Sequence, residues 1–378
     1  MIDRNEMEQL IRSAEVELMH IPKVPLYVLA KDWINKNIRG RLIAPYDLIS
    51  WPKGCLAVGL LAQGETDTVL EYYGNWQKKK APVYLVDDLL MGQAFLQLGE
   101  AARKGQIAGG ESFCRKLWND YRHDQAMHQM MAFLYAHDKD ERGSLPYRPL
   151  HKNGRIFADG IGMVCPFACG YGVRYRDREA VKLGVRQIVN FFQYGMDEVT
   201  GLPYHVYTYL GEKPAEKLGL IGWGRSVGWI AYGLAASLEM LEKDKETFQE
   251  AYQTIFSYLE KLLQSASAYV REDGMFSSSL TEKEAPVDTS ATAMVLYAYS
   301  YYSNVQTGEN ESNENIEVRQ KAEQIYSRGI TSLETYCKDG KVLQAQSECL
   351  DIGVYGQEYD SYPWSVGMAM KVLHADRS

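Results

Sequence analysis

Apolar residues recur along this chain at intervals of three and four, the spacing that gathers side chains on one face of an α-helix. Met7, Leu10, Ile11, Ala14 and Leu18 predict a first helix. Leu90, Ala94 and Leu98, flanked by Met91 and Phe95, predict another, and Val181, Val185, Ile188 and Phe192 continue the series. The pattern strengthens through Val227, Ile230, Leu234, Leu238 and Leu241, and again through Phe248, Tyr252, Ile255, Leu259 and Leu262. Val318, Ala322, Ile325 and Leu333 mark a late helix. About a dozen helices are expected in all. Strand-like alternation is nearly absent; residues 341–346 read as a short hairpin arm.

The connections come in two lengths. Residues 175–179 and 243–246 make short turns, whereas 138–159, 195–225, 271–289 and 338–363 are long. In an up-and-down array of helical hairpins, alternate connections fall at the same end, so the long loops should collect on one face. Each runs into a helix through a small polar or acidic cluster: Asp159-Gly160, Trp223-Gly224-Arg225-Ser226, Asp288-Thr289-Ser290 and Trp364-Ser365. Asp288 is placed to cap the helix that follows it. The segment 307–315 is polar and acidic and reads as an exposed loop. No strong linker divides the chain. One domain over residues 1–378 is expected, as an open superhelix or a closed ring of helical hairpins.

Composition narrows the function. Acidic residues number 49 and basic ones 41, a net charge of -8, so the broad positive surface that nucleic acid requires is not expected. An anionic small substrate would need a local cluster of Arg or Lys. The six cysteines, Cys55, Cys114, Cys165, Cys169, Cys337 and Cys349, include no C-x-x-C pair and are too sparse for a disulfide framework. The first residues are polar, and no apolar run reaches the ~18 residues of a membrane span. Together these predict a cytoplasmic protein. The 27 tyrosines and 7 tryptophans offer flat faces for stacking sugar rings, and they also fill wide interhelical space.

Candidate chemistry rests on carboxylates. The seven histidines are scattered, and no phosphate loop or serine elbow is present, so neither a metal nor a cofactor is expected. Cys165 and Cys169, four apart on one helix face, are expected to pack. Asp159 lies between an aromatic residue and a glycine at a loop-to-helix junction, ahead of the apolar stretch 161–171. A carboxyl set against apolar groups can hold a proton near neutral pH and act as a general acid. Asp87 and Asp88 precede the apolar helix that starts near Leu89; one can cap it while the other faces a site. His205 sits beside Tyr204 and Tyr207 in a long loop. Trp223, Arg225 and Trp229 flank glycines at a helix start: Trp supplies a stacking face and Arg a planar fork for a carboxylate.

These segments resemble the unsaturated rhamnogalacturonyl hydrolases, glycoside hydrolase family 105, and more distantly the unsaturated glucuronyl hydrolases of family 88. Phe157-Ala158-Asp159-Gly160, followed by Met163 and Pro166-Phe167, is similar to the family's W-x-D-x-x-x-M-x-x-P-F stretch. Gly201-Leu202-Pro203-Tyr204-His205 is similar to its G-L-x-x-H turn, and Trp223-Gly224-Arg225-Ser226-Val227-Gly228-Trp229 to its W-x-R-G-x-G-W segment. The likeness covers about residues 50 to 370. Phe157 stands where the family usually has Trp, and Ser226 where Gly is common.

The resemblance implies an all-α fold, an (α/α)6 barrel of six helical hairpins with its site at one mouth. It implies a substrate carrying a 4,5-unsaturated uronic acid at its non-reducing end, made by a polysaccharide lyase. The vinyl ether is protonated at C4, water adds at C5, and the hemiketal collapses to release the next sugar. Asp159 is then the general acid and the activator of water. Asp87 or Asp88 holds the sugar, with the spacing to Gly92 favouring Asp87. His205, Trp223, Arg225 and Trp229 line the pocket, and Arg225 is the expected partner of the uronate carboxylate or of sugar hydroxyls. The expected partner is an unsaturated oligosaccharide, pectin-derived in the first instance, with no nucleic acid and no membrane, and the chain is expected as monomer or homodimer. A glucuronyl or ulvan-type hydrolase, and a sugar epimerase on the same barrel with a second site histidine, are the alternatives.

Overall fold

Two kinds of helix alternate along the chain, and burial tells them apart. The structure, a computed structural model, describes residues 2–21, 23, 25–38, 49–107, 120–147, 154–209, 215–305 and 313–373. After α1 (Arg4–Met19) and α2 (Leu26–Asn37) come α3 (Trp51–Ala62), α4 (Asp67–Lys78), α5 (Leu89–Arg103) and α6 (Asp120–Ala136). They are followed by α7 (Asp159–Tyr175), α8 (Arg178–Tyr194), α9 (Gly224–Leu241) and α10 (Gln249–Ala266), then α11 (Thr289–Asn304), α12 (Asn313–Glu334) and α13 (Pro363–Val372). In α9 every residue except Glu239 is buried, the mark of a helix surrounded by others. In α10 only one stripe is buried, through Tyr252, Ile255, Leu259 and Leu262.

The fully buried helices close a ring. α3 packs on α5, α5 on α7, α7 on α9, α9 on α11, α11 on α13, and α13 back on α3. The amphipathic helices α1, α4, α6, α8, α10 and α12 form the outer layer; α4 to α12 each adjoin in sequence an inner helix they cover, and α1 packs on α3 and α13. This is the (α/α)6 barrel, the closed ring rather than the open superhelix. Small residues let the inner helices approach. A Cβ at Gly233 of α9 would sit 2.5 Å from the Ile161 carbonyl oxygen of α7, and one at Gly367 of α13 would sit 2.2 Å from that of Cys55 in α3. Cys165 and Cys169 are buried free thiols, and Cys165 Sγ faces the Gly184 carbonyl at 3.4 Å, a packing role. Cys114 lies outside the described residues.

Links from an inner helix to its outer partner are short where they are described, as between α3 and α4 or α7 and α8. The return links are long, and they gather at the end where the inner helices begin. Asp288 caps α11, its Oδ1 accepting from the backbone N–H groups of Ser290 and Ala291 at 3.0 and 3.4 Å. In the segment 307–315, residues 307–312 lie outside the described residues and 313–315 begin α12.

Short strands in the long links depart from the sequence reading. β1 (Arg155–Phe157), β2 (Val206–Thr208) and β3 (Glu216–Leu218) form an antiparallel sheet over the ring. The 341–346 hairpin arm does not form as one unit. β5 (Lys341–Val342) pairs back with β4 (Cys337–Lys338), while β6 (Ala345–Gln346) pairs forward with β7 (Tyr359–Asp360). Strands of two or three residues leave no detectable alternation, because their pairing is set by the helices that bracket them. Among the described residues, no helix is long and apolar enough to cross a membrane.

Candidate active site

The long links and the first turns of α3, α7 and α9 enclose a pocket of about 520 Å³, within the range of small-molecule sites. Its walls carry Asp87, Asp159, His205, Trp223, Arg225 and Trp229. Residues from four separate segments of sequence therefore meet in one cavity.

Asp159 is the first residue of α7, and a strand leads into it. β1 pairs with β2 in the register Phe157 to Val206, and the Ala158 N–H donates to the His205 carbonyl at 3.0 Å. That pairing brings His205 Nε2 to 3.4 Å from Asp159 Oδ2. The Oδ2 atom is buried, and none of the described groups gives it a well-aligned hydrogen bond. A buried carboxylate oxygen without a donor is costly, so it is poised for a ligand that brings one. His205 is wedged between rings. Phe157 meets it edge-on at 5.1 Å, and Trp223 lies 4.4 Å away on another side. The residue that replaces the family's usual Trp thus packs the histidine.

The two adjacent acids part company in a 3-10 turn, Val86–Asp88. Asp88 turns back, its Oδ2 accepting from the N–H groups of Tyr84 and Leu85 at 2.8 and 3.1 Å. It does not line the pocket, which corrects its assignment as a sugar ligand: the carboxylate is consumed by the turn that presents its neighbour. Asp87 lines the pocket and is buried. Burial pushes its carboxyl up to about 8; a hydrogen bond with Tyr147 opposes this, while the charges of Asp159, Asp88 and Glu348 add to it. At neutral pH Asp87 is a neutral carboxyl, able to donate a hydrogen bond. Burial also raises Asp88, to about 6, against the two backbone donors.

Arg225 faces the pocket at the start of α9, but its fork is already engaged. Nη1 donates to the Gln346 carbonyl at 2.6 Å and Nη2 to that of Ser347 at 2.8 Å. The guanidinium is sandwiched between Trp223 and Trp364, 4.8 and 5.4 Å from the ring centroids. Trp223 Nε1 donates to Gln346 Oε1 at 2.7 Å. Arg225 and Trp223 therefore clamp the loop that follows Gln346, and these backbone acceptors compete with the expected pairing of Arg225 with a substrate carboxylate or sugar hydroxyls. Trp229 presents its ring beside Trp51, edge to face at 6.1 Å.

Several lining groups were not singled out from sequence. Tyr147 precedes the sheet and Arg155 sits on β1. Glu348 and Asp351 come from the clamped loop. The only hint of them was the length of the 338–363 link. Among the described residues, no group of three or more His, Cys, Asp or Glu side chains is arranged to hold a metal ion. Among the described residues, His205 is the histidine that lines the pocket.

What the arrangement can do is acid–base chemistry on a polar, ring-shaped molecule. One carboxyl carries a proton, another has an unmet acceptor atom, and tryptophan rings line the same pocket.

The comparisons with known proteins fit this picture. The structure is similar to that of a possible member of the GH105 family from Klebsiella pneumoniae subsp. pneumoniae MGH 78578, with a TM-score of 0.72 and 17% identity over 98% of this chain and 93% of that one. It is also similar to the unsaturated glucuronyl hydrolase responsible for the degradation of glycosaminoglycan from Bacillus sp. GL1, with a TM-score of 0.61 and 14% identity over 97% and 95% of the two chains. Those likenesses establish the helical barrel. The sequence itself matches the Glycosyl Hydrolase Family 88 profile over residues 67–374, taking in the pocket loops from Asp87 to Asp351. The chain belongs to Glycosyl Hydrolase Family 88.

Proposed function

We propose that this glycoside hydrolase hydrates the vinyl ether of a 4,5-unsaturated uronic acid at the non-reducing end of lyase-generated oligosaccharides, with unsaturated rhamnogalacturonan disaccharide as the first substrate. The observation that carries the reading is the pair of unlike carboxyls in one pocket, Asp159 with an unmet buried oxygen and Asp87 held neutral at pH 7.

Asp159 gives a proton to C4 of the double bond, and the positive charge that develops is shared by C5 and the ring oxygen. A water then adds at C5 and loses its proton to the same carboxylate, which restores the acid. The product is a hemiketal at C5; its C5–O5 bond opens to a ketone, and the hemiacetal left at C1 then breaks its bond to the next sugar, which leaves as the alcohol while C1 becomes an aldehyde. Asp87 donates a hydrogen bond to a sugar hydroxyl, and His205 keeps Asp159 pointed at the ring. Neither step attacks the anomeric carbon, so the two-carboxylate spacing rules of ordinary glycosidases do not apply.

A second reading has a specific observation behind it. The raised pKa of Asp87 makes it the better proton reservoir at neutral pH, with Asp159 positioning the water. A second substrate, an unsaturated glucuronyl oligosaccharide, is supported by the family 88 match and by the similarity to the Bacillus sp. GL1 enzyme.

The test follows the ultraviolet absorbance of the conjugated double bond on mixing with unsaturated rhamnogalacturonan disaccharide, and in parallel with an unsaturated glucuronyl disaccharide. Wild type bleaches the absorbance, and a folded Asp159→Asn variant does not. Bleaching by Asp159→Asn with none by Asp87→Asn would pass the acid's role to Asp87. No bleaching of either substrate by wild type would sink the reading.

A further inference from the structure

We propose that Arg155, not Arg225, receives the carboxylate of the uronic acid, taking it in exchange for Asp351. The inference rests on the function proposed above and names the group that makes the pocket select an acid.

The pocket is rich in negative charge. Asp87, Asp159, Glu348 and Asp351 all line it, against two fixed cations, Arg155 and Arg225. A carboxylate substrate must meet a guanidinium with donors to spare. Arg225 spends one N–H of each terminal nitrogen on a backbone carbonyl and is 2% exposed, so its remaining N–H groups are hemmed in by the loop it holds. Turning its fork to a ligand would orphan the Gln346 and Ser347 carbonyls and release the loop they belong to, a cost that works against binding.

Arg155 is in the opposite state. On β1 the side chains alternate: Ile156 is buried, while Arg155 and Phe157 are half-buried and both line the pocket. The strand is pinned by its pairing with Thr208 opposite Arg155 and by the Tyr147 N–H on the Arg155 carbonyl at 3.0 Å, so the guanidinium is delivered by a fixed backbone. Its acidic partner is Asp351, at 3.4 Å from Nη1 to Oδ1. That is longer than a strong charge-assisted contact, and the aspartate side chain is 67% exposed. Such a pair is worth little and exchanges readily. Asp351 Oδ1 also accepts from the Ile352 N–H at 2.8 Å, so it keeps a partner when the arginine leaves.

The exchange is chemically even. A carboxylate of the loop is replaced on the guanidinium by a carboxylate of the ligand, with a bidentate grip available to the ligand. Arg155 lies four residues before Asp159, on the strand that runs into the acid, so anchoring the carboxylate there registers the adjacent C4–C5 double bond against the Asp159 carboxyl. Arg155 is thus a binding residue that sets specificity for the acid form of the sugar.

The experiment compares the unsaturated disaccharide with its uronate methyl ester, on wild type and on Arg155→Gln. The variant should raise KM for the acid roughly 10- to 100-fold, the range for a lost charge-assisted contact, and lower kcat for the acid as registration is lost, while both constants for the ester stay within about three-fold of wild type. Asp351→Asn, which removes the competing carboxylate, should lower KM for the acid and not for the ester. An equal effect of Arg155→Gln on acid and ester, with wild type active, would overturn the assignment and leave the proposed reaction standing. If wild type turns over neither substrate, the reaction falls and this assignment with it.

Discussion

His205 Nε2 lies 3.4 Å from Asp159 Oδ2, although the two residues sit on different links and different sides of helix α8 in sequence. The contact is produced by the β1–β2 register, and rings of Phe157 and Trp223 hold the imidazole in place. The acid is therefore aimed by a three-residue strand pairing rather than by its own helix.

His205→Ala should lower kcat by up to about 10²-fold, the cost of misplacing a reacting group by roughly an ångström, with the circular dichroism spectrum unchanged. A reduction in KM effect only, with kcat retained, would show that the imidazole touches substrate and does not orient the carboxylate. Steady-state kinetics on the unsaturated disaccharide decides between them.

Asp88 and Asp87 should separate cleanly. Asp88→Ala removes the acceptor of two backbone N–H groups and should cost about 1–3 kcal/mol of stability, read as a lower melting temperature. Its effect on kcat/KM, measured well below the melting transition, should be far smaller than that of Asp87→Asn. Equal losses of activity would mean that the turn and not the Asp87 carboxyl carries the effect.

Asp87 makes the stability depend on pH in a definite direction. Its carboxyl titrates near 4 when unfolded and is pushed up to about 8 in the folded chain, so between those values the folded state holds the extra proton. Stability therefore falls as pH rises from about 4 to 8, by up to ~1.4 kcal/mol per pH unit from this group alone. Asp87→Asn removes that slope. The variant should gain in melting temperature over wild type progressively from pH 5 to pH 8, and a constant difference across that range would contradict a buried neutral Asp87.

Arg225→Lys keeps the charge but loses the fork that serves the Gln346 and Ser347 carbonyls. The loop bearing Glu348 and Asp351 should loosen. Hydrogen exchange of amides in 347–354 should accelerate, and KM should rise by about 10-fold or more for acid and methyl ester alike. A loss confined to the acid would instead put Arg225 on the substrate carboxylate.

The helices were legible in the chain, and so were Asp159, His205 and the two tryptophans of the pocket wall, whereas periodicity left an open superhelix and a closed ring equally possible and only the family resemblance implied the ring. Their signals are local. A 3.6-residue period needs only its own segment, and an aromatic–Gly–Arg cluster at a helix start is visible wherever it occurs. The hairpin repeat further predicted that the long links share one face, which follows from chain reversal alone.

The rest required the folded ring. Asp87 and Asp88 are neighbours with equal chemistry, and only the 3-10 turn between β-like and helical backbone sends one to the pocket and the other to the amides of Tyr84 and Leu85. Arg225 looked like a carboxylate fork because its residue type is one; the carbonyls that occupy it lie more than a hundred residues away. Arg155, Glu348 and Asp351 sit in links with no periodicity at all; the β1–β2 pairing fixes Arg155, the Arg225 clamp holds the loop of Glu348 and Asp351, and the closed ring brings the two links together. Burial, partner and charge environment belong to the tertiary structure because each is a sum over groups distant in sequence, whereas amphipathic helices and their caps are written residue by residue in the sequence itself.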